Sequence, residues 1–321
     1  MTVLRIGVVG CAAIARRVVI PAIKSLPDFK LVAVASRSAD KAEAYAAEFD
    51  CLPVQGYQNL IARDDIDAIY MPLPTGLHLE WAARALQAGK HLLVEKSMAM
   101  NQADALELAK LARARQLIIK ENYMFEYHAQ QAGVRELIQS RLGELRHFRA
   151  CFGFPPLDSG NFRYDRKLGG GALLDAGGYV LKALGVFLPG AQLTLKSALL
   201  NRDAGGVDLW GSAMLGIAWQ HSRLPAFVSF GFDNHYQCGV EAWGSRARLT
   251  TDRSFTAGPG FQPTAVLESP AGVERIALPT DHHSQKLLSN FRAAIGCADA
   301  GVQAAAVLAQ ASLQQDLRDA A

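Results

Sequence analysis

The sequence predicts an α/β N-terminal Rossmann domain with a doubly wound parallel sheet, followed by an α+β C-terminal domain with an open, mostly antiparallel sheet. Two observations predict this fold class. In the first 120 or so residues, short β-prone runs alternate with longer amphipathic runs, which is typical of βαβ units. After about residue 145, strand-like runs follow one another with a single helical interruption, so they must pair mostly antiparallel. We therefore expect a first domain at 1–121 and a second at 122–321, with a C-terminal helix that can pack back on the first.

The elements of the first domain follow in order. Apolar, β-prone runs predict strands at 4–9, 31–35, 68–71, 91–94 and 117–120, and amphipathic runs predict helices at 13–26, 39–48, 79–88 and 103–115. Because Pro21 would break one long helix, we expect the helix to restart there with Pro21 in its first turn. Gly89 stands where a helix C-cap is expected.

The second domain reads as strands at 145–154, 193–199, 211–219, 226–232, 239–243, 248–251 and 265–268, with helices at 172–187 and around 304–313. Both alternating sets of residues are apolar in Leu215–Trp219 and in Phe227–Phe230. This pattern favours a sheet covered by helices on one face and by a partner subunit on the other. Burial of both faces within one chain is the alternative.

Composition excludes several classes of protein. The 321 residues carry a formal net charge of +3, with basic and acidic residues mixed along the chain, so no nucleic-acid or membrane-surface patch is indicated. No apolar run reaches the roughly 18 to 20 residues of a membrane span. The five cysteines are dispersed and odd in number, which favours a reduced, cytoplasmic protein. A lipoprotein signal ending at Cys11 is a weaker alternative, since only Arg5 precedes the apolar run as a basic residue.

The first strand ends in a tight turn that enters a helix, which is where a dinucleotide fingerprint belongs. The turn consists of Gly10, Cys11, Ala12, Ala13, Ile14 and Ala15. Small residues here let the backbone approach a pyrophosphate at the helix N-terminus. The pattern is G-x-A-x-x-A, so a plain small-residue turn is the alternative.

The end of the second strand indicates which dinucleotide binds. An acidic residue there would bind the 2′-hydroxyl of NAD, but the chain has Ser36, Arg37 and Ser38, with Lys41 one helical turn further on. A hydroxyl beside a guanidinium suits a 2′-phosphate. NADP is therefore the predicted cofactor and NAD the alternative, unless Arg37 is simply a solvated side chain.

Two more strand ends lie at the predicted binding edge. After the strand at 68–71 comes a loop whose candidate cofactor residues are Pro72, Leu73, Pro74, Thr75 and His78. A helix N-cap for Thr75 and an exposed first-turn position for His78 are the structural alternatives. The strand at 91–94 ends in Glu95 and Lys96, which in another context would be an ordinary surface pair.

These motifs, with Asp175-x-Gly177 further on, resemble the glucose-fructose oxidoreductase and inositol dehydrogenase family (Gfo/Idh/MocA) along nearly the whole chain. The resemblance implies that Lys96 and Tyr179 lie around the nicotinamide and the reacting carbon, and it adds Asn122 to the cofactor contacts. Segments 121–130 and 161–171 resemble the sugar 3-ketoreductase branch, which implies substrate contacts at Tyr123, Arg163 and Tyr164. Ser97 departs from the proline usual after the lysine, which puts the cis peptide usual there in doubt.

The chemistry is consistent with this resemblance. Hydride transfer at a carbinol carbon leaves one proton to move at the oxygen. Tyr179 can move it, Lys96 can stabilise a phenolate, and Asp175 can orient either group or the sugar hydroxyls. A half-buried helix aromatic is the structural alternative for Tyr179. Arg163 and Lys167 could meet a diphosphate, or be exposed loop cations.

No metal is expected, because the histidines are dispersed except for His282 and His283, which suit a solvated loop. The sequence therefore predicts an NADP-dependent oxidoreductase acting on a sugar, with nucleotide-linked keto sugars among the candidates. A free aldose or trans-dihydrodiol dehydrogenase is one alternative, and a catalytically silent dinucleotide-binding regulator is another. We expect a homodimer or homotetramer assembled through the C-terminal sheet.

Overall fold

A computed structural model describes residues 3–297 and 300–321. The chain forms two compact units. The first comprises the described residues of Met1–Asn122 and Ser284–Ala311, and the second comprises Tyr123–His283 and Ser312–Ala321. The segment from Ser284 to Ala311, which the sequence placed in the second domain, thus groups with the first unit.

The first unit contains a six-stranded sheet in which every neighbouring pair is parallel. Its strands are β1 (Leu4–Val9), β2 (Phe29–Ser36), β3 (Leu52–Gln55), β4 (Ala68–Met71), β5 (His91–Val94) and β6 (Ile119–Glu121), in the spatial order β3-β2-β1-β4-β5-β6. The order reverses beside β1, so β1 and β4 leave a crevice at their carboxyl ends, the usual ligand position in such sheets. The predicted Rossmann fold is confirmed.

Helices connect these strands. A π-helical turn (Ala15–Val19) leads into α1 (Ile20–Ser25), and the others are α2 (Ala39–Phe49), α3 (Tyr57–Ile61), α4 (His78–Gln87) and α5 (Gln102–Ala114). Pro21 lies in the first turn of α1, as predicted. The side chain of Ser38 caps α2 by accepting from the Lys41 N–H, and Asn101 caps α5 in the same way. Gly89, just beyond α4, has a φ of +78°, which suits its predicted position after a helix end.

The second unit contains an eight-stranded sheet. Its strands are β7 (Leu145–Gly153), β8 (Gln192–Arg202), β9 (Asp208–Trp219), β10 (Ser222–Gly231), β11 (Gln237–Gly244), β12 (Arg248–Thr251), β13 (Thr264–Ser269) and β14 (Gly272–Ala277), in the order β14-β13-β12-β11-β7-β10-β9-β8. All pairs are antiparallel except β7 with β10. The predicted open, mostly antiparallel sheet is confirmed.

Four helices complete the chain: α6 (Gln130–Arg141), α7 (Gly178–Phe187), α8 (His283–Gly296) and α9 (Ala300–Ala320). A π-helical turn over Leu173–Gly177 precedes α7. One set of alternating residues in β9 and β10 is buried, whereas the other is half-buried or exposed. Burial of both sheet faces by this chain, the alternative left open above, is therefore not what the structure shows.

Two further observations concern the chain as a whole. Across 3–297 and 300–321, no helix combines the length and the apolar character that crossing a bilayer requires. All five cysteines are free thiols.

Candidate active site

The turn after β1 has the geometry that a bound pyrophosphate needs. Gly10 has a φ of +114°, and a Cβ there would lie 2.8 Å from Leu73 Cδ2, so only glycine fits. Residues 11–14 remain at least partly accessible, whereas Ala15 is fully buried. The hydroxyl of Tyr45 donates to the Ala12 carbonyl at 3.0 Å, which fixes the backbone of the turn.

The end of β2 presents a cation and hydroxyls. Ser36 is buried and its Oγ accepts from the Ser38 N–H at 3.3 Å, whereas Arg37 is exposed. Burial raises the pKa of Tyr57, at the start of α3, and the nearby Arg37 guanidinium acts in the opposite direction. The Tyr57 ring meets Trp81 edge-on at 5.1 Å between centroids. A buried, packed tyrosine thus lies beside the exposed guanidinium predicted to bind a 2′-phosphate.

The loop after β4 lies against the cofactor turn. Pro72 and Leu73 are the residues nearest to a Cβ placed at Gly10, and Pro74 leads into a 3-10 turn over Thr75–Leu77. Thr75 is buried. These positions are compatible with the predicted role of the loop beside the cofactor.

His78 requires a revision. Its side chain has no exposed surface, and both ring nitrogens face backbone carbonyls of Leu73, Ser97 and Met98. The exposed first-turn position is therefore wrong, because the ring turns into the interior. The ring lies between the Leu73 loop and the Ser97–Met98 segment, and its contact with the cofactor stays a prediction.

Glu95 and Lys96 follow β5 within a hydrogen-bonded network. Glu95 Oε1 accepts from the Tyr70 hydroxyl at 2.6 Å and from the Asn122 amide. Burial raises the pKa of Glu95. Asn122 is itself buried and its side chain supports Glu95, and its contact with the cofactor stays a prediction. Glu95 and Lys96 are therefore not a simple surface pair.

The backbone after Lys96 is also held. The Lys96–Ser97 peptide bond is cis, although no proline follows the lysine. The Met98 N–H donates to Glu121 Oε1 at 2.7 Å. The segment carrying Lys96 is therefore fixed on both sides of the lysine.

In the second unit, Tyr179 is enclosed by aromatic side chains. It lies at the start of α7 and is half-buried. Its ring centroid is 5.4 Å from that of Tyr123 and 5.6 Å from Phe125, and it is 5.1 Å from Phe152 and 6.0 Å from Phe255. These edge-on and tilted contacts restrict the ring while its surface remains partly accessible.

Tyr123 packs beneath the helix that carries Tyr179. It is fully buried, and a Cβ at Gly178 would collide with its hydroxyl. The Lys182 ammonium lies 5.6 Å from the centroid of its ring. Tyr123 therefore supports that helix, and its contact with the substrate stays a prediction.

Arg163, Tyr164 and Asp175 lie close together in the same unit. The Arg163 Nε donates to Asp175 Oδ2, and the guanidinium lies 4.8 Å from the Phe162 ring centroid. Tyr164 Oη accepts from the Leu157 N–H at 3.0 Å. The predicted loop cation is thus anchored by the acidic residue of the second-domain motif, and it remains partly exposed.

Several of these contacts have no signal in the sequence. The pairing of Tyr57 with Arg37, of Tyr70 with Glu95, and the rings of Phe125, Phe152 and Phe255 around Tyr179 all join positions far apart in the chain. A metal-binding group of three or more His, Cys, Asp or Glu side chains is not found among the described residues. The solvated loop predicted for His282 and His283 is wrong for His283, which is buried at the start of α8.

A doubly wound parallel sheet, a glycine turn against a proline-rich loop and a fixed lysine after β5 together define a dinucleotide-binding oxidoreductase. Comparisons with known proteins identify the family. Residues 4–123 match the family described as "Oxidoreductase family, NAD-binding Rossmann fold" and residues 132–250 match the "GFO/IDH/MocA C-terminal domain". The chain belongs to the GFO/IDH/MocA oxidoreductase family, which confirms the resemblance seen in its motifs.

Individual relatives extend over almost the full length. A dTDP-3,4-didehydro-2,6-dideoxy-alpha-D-glucose 3-reductase from Saccharopolyspora spinosa is 41% identical and covers 98% of this chain and 97% of its own. A protein of the same name from Streptomyces violaceoruber is also 41% identical, over 99% of this chain and 95% of its own. The crystal structure of a 3-ketoreductase from Actinomadura kijaniata with NADP and TDP-benzene has a TM-score of 0.94 and 37% identity, over 99% of this chain and 98% of that one.

Proposed function

We propose that this protein is an NADPH-dependent reductase of a nucleotide-linked keto sugar. The observation that carries the proposal is its similarity, over almost the whole chain, to enzymes named as 3-reductases of a dTDP-linked didehydro sugar. Nucleotide-free aldoses and dihydrodiols are the competing substrates, since relatives named for them are less similar, at 31% and 32% identity over shorter stretches.

The cofactor site fits a dinucleotide with a 2′-phosphate. Gly10 leaves the space that a pyrophosphate needs beside the turn at residues 11–14, and Arg37 with Ser36, Ser38 and Lys41 provides cationic and hydroxyl groups where NAD-binding proteins have a carboxylate. Bound NADPH supplies the hydride. The protein supplies the binding, the orientation and the proton.

We propose that Tyr179 donates the proton to the ketone oxygen of the substrate. Reduction of a ketone adds a hydride to carbon and a proton to oxygen, so an O–H donor must meet the developing alkoxide. The aromatic enclosure limits the rotation of the Tyr179 ring and so fixes its hydroxyl. We propose that Lys96 supplies a cation for the catalytic step, since a cation favours a phenolate.

Arg163 is our candidate for the residue that binds the diphosphate of the substrate. Its guanidinium can donate through further N–H groups while Nε binds Asp175. Asp175 thereby orients the arginine. Exposed Lys167 adds a second cation in the same loop.

We also propose a homo-oligomer assembled through the open face of the second sheet. Phe227, His147 and Trp243 form a row across β10, β7 and β11, with centroid distances of 5.2 and 6.4 Å. Trp243 is 57% exposed and Phe227 is 37% exposed, and exposed aromatic rings of this kind are typical of a protein interface. Trp243→Glu should therefore yield monomers in sedimentation experiments.

The five free thiols support an expected location in the reducing cytoplasm.

The test of the function is direct. The purified protein should consume NADPH with a dTDP-linked 3-keto sugar and form the corresponding hydroxyl, identified by NMR of the product. NADP reduction with free aldoses or dihydrodiols, and no NADPH consumption with dTDP-linked keto sugars, would contradict the proposal.

A further inference from the structure

One buried histidine joins the two loops at the carboxyl edge of the first sheet. His78 begins α4, and its side chain has no exposed surface. Its Nε2 lies 2.8 Å from the Leu73 carbonyl oxygen. On the other side of the ring, Nδ1 lies 3.0 Å from the Ser97 carbonyl oxygen and 3.1 Å from that of Met98.

All three partners of this ring are acceptors, and a neutral imidazole carries one N–H, so the neutral ring donates on one side only. Burial lowers the pKa of His78, whereas the three carbonyls act in the opposite direction because they favour the protonated ring. Buried carbonyl groups need partners. A proton on Nδ1 can be shared between two such carbonyls, those of Ser97 and Met98, in the segment that follows Lys96.

The two segments held by this ring have different tasks. Ser97 and Met98 directly follow Lys96, and Met98 is held a second time through its N–H by Glu121. Leu73 packs its side chain against Gly10 of the cofactor turn. The Nδ1 side therefore faces the lysine segment, and the Nε2 side faces the loop beside the cofactor.

We propose that His78 is a positioning residue that sets the backbone of the lysine segment through donation from Nδ1 to Ser97 and Met98. It acts through Lys96 and touches neither substrate nor cofactor. The inference rests on the proposed function in one respect, the participation of Lys96 in turnover. A displacement of about 1 Å in such a group can cost about 100-fold in rate.

Two substitutions separate the sides of the ring. The amide nitrogen of asparagine reaches about the place of Nδ1, whereas that of glutamine reaches about the place of Nε2. We expect His78→Leu to lower kcat by about tenfold or more. His78→Asn should restore most of that loss, and His78→Gln should not. The Kd for NADPH of His78→Gln should stay within about threefold of wild type, because the glutamine amide N–H can donate to the Leu73 carbonyl.

His91 offers a matched control. It lies at the opposite end of β5 and accepts a hydrogen bond from the Ile118 N–H at 3.0 Å. His91→Leu removes a histidine-to-backbone bond of the first unit and should leave kcat near wild type. We expect the two leucine variants to lower Tm by similar amounts, while only His78→Leu lowers kcat. The loss of turnover would then come from lost positioning and not from lost stability.

The inference is overturned if His78→Gln keeps wild-type kcat, or if His78→Asn loses as much turnover as His78→Gln. Lys96→Ala, measured in parallel, distinguishes the proposed role of Lys96 in turnover from the proposed role of His78 in positioning it. Full turnover in Lys96→Ala would contradict the proposed role of the lysine. Loss of turnover in Lys96→Ala with none in His78→Gln would contradict the inference about His78 alone.

Discussion

The preference for NADPH should depend on Arg37 and, through it, on Tyr57. The guanidinium of Arg37 is exposed and can therefore reach a ligand. A charge-assisted contact between it and the 2′-phosphate is worth about 1.5 to 3 kcal/mol, or roughly ten- to a hundredfold in affinity. Arg37→Ala should remove this preference for NADPH over NADH.

Tyr57→Phe should have a smaller effect of the same kind. The substitution keeps the ring against Trp81 and removes only the hydroxyl near the Arg37 guanidinium. Without a neighbouring hydroxyl that can accept from it, the arginine must be ordered by the ligand alone, which costs about 1 kcal/mol. NADPH affinity should fall about fivefold, and NADH affinity should not change.

Calorimetric titration of both cofactors against wild type, the two single variants and the double variant measures the coupling. In the Arg37→Ala background, Tyr57→Phe should have no further effect. Tyr45→Phe is a useful comparison, because Tyr45 supports the Ala12 carbonyl in the turn that both cofactors would share, and it should weaken both alike. A loss in Tyr57→Phe that is equal for NADPH and NADH, or no loss at all, would refute the reasoning.

Three further results are expected. Tyr179→Phe should lower kcat by about 10² to 10⁴ with NADPH affinity nearly intact; wild-type turnover in stopped-flow assays would contradict its role. Gly178→Ala should lower the free energy of unfolding in urea by about 1 to 3 kcal/mol, because its Cβ collides with the Tyr123 hydroxyl, and Gly178→Ala in a Tyr123→Phe background should lose less. Burial lowers the pKa of His283 from 6.5 to about 4, so the neutral ring contributes stability above pH 6.5 that is lost, by about 3 kcal/mol, as the pH falls to about 4. Urea titrations of His283→Phe should show a flatter acid limb than wild type, and an unchanged limb would contradict this origin, with His282→Gln as the control.

Much of the fold follows from local patterns in the sequence. The strands that end at Val9, Met71 and Val94 are short apolar runs buried on both faces, and such runs are readable without tertiary information. Because the carboxyl ends of parallel strands meet at one edge of a sheet, these runs predict that the glycine turn, the proline-rich loop and Lys96 lie at the same edge.

The elements that were missed have weak patterns for physical reasons. β3 is four residues long, contains Pro53 and is mostly exposed, and β14 is an almost fully exposed edge strand. Neither has an apolar alternation. In α6 the buried residues include Gln130 and Gln131, so the sequence of its inward face lacks the apolar periodicity that predicts a helix.

The predicted site residues differ in burial, which tertiary contacts decide. Residue types suggest that His78 and Tyr123 meet ligands; the structure buries both and gives them supporting places, and their ligand contacts stay predictions. Lys96, Tyr179 and Arg37 keep accessible surface, and their roles also stay predictions. Sequence position identifies which loops form a site, whereas packing decides which side chains in those loops can reach a ligand.

The central claim, reduction of a nucleotide-linked keto sugar, is tested most directly by comparing kcat/KM for a dTDP-linked 3-keto sugar with that for the same sugar lacking the nucleotide. Binding energy from the remote nucleotide should be expressed in the transition state. The account predicts that the linked substrate is favoured by about 100-fold or more, and that Arg163→Ala shrinks this ratio. Equal kcat/KM values for the two substrates, unchanged in Arg163→Ala, would contradict it.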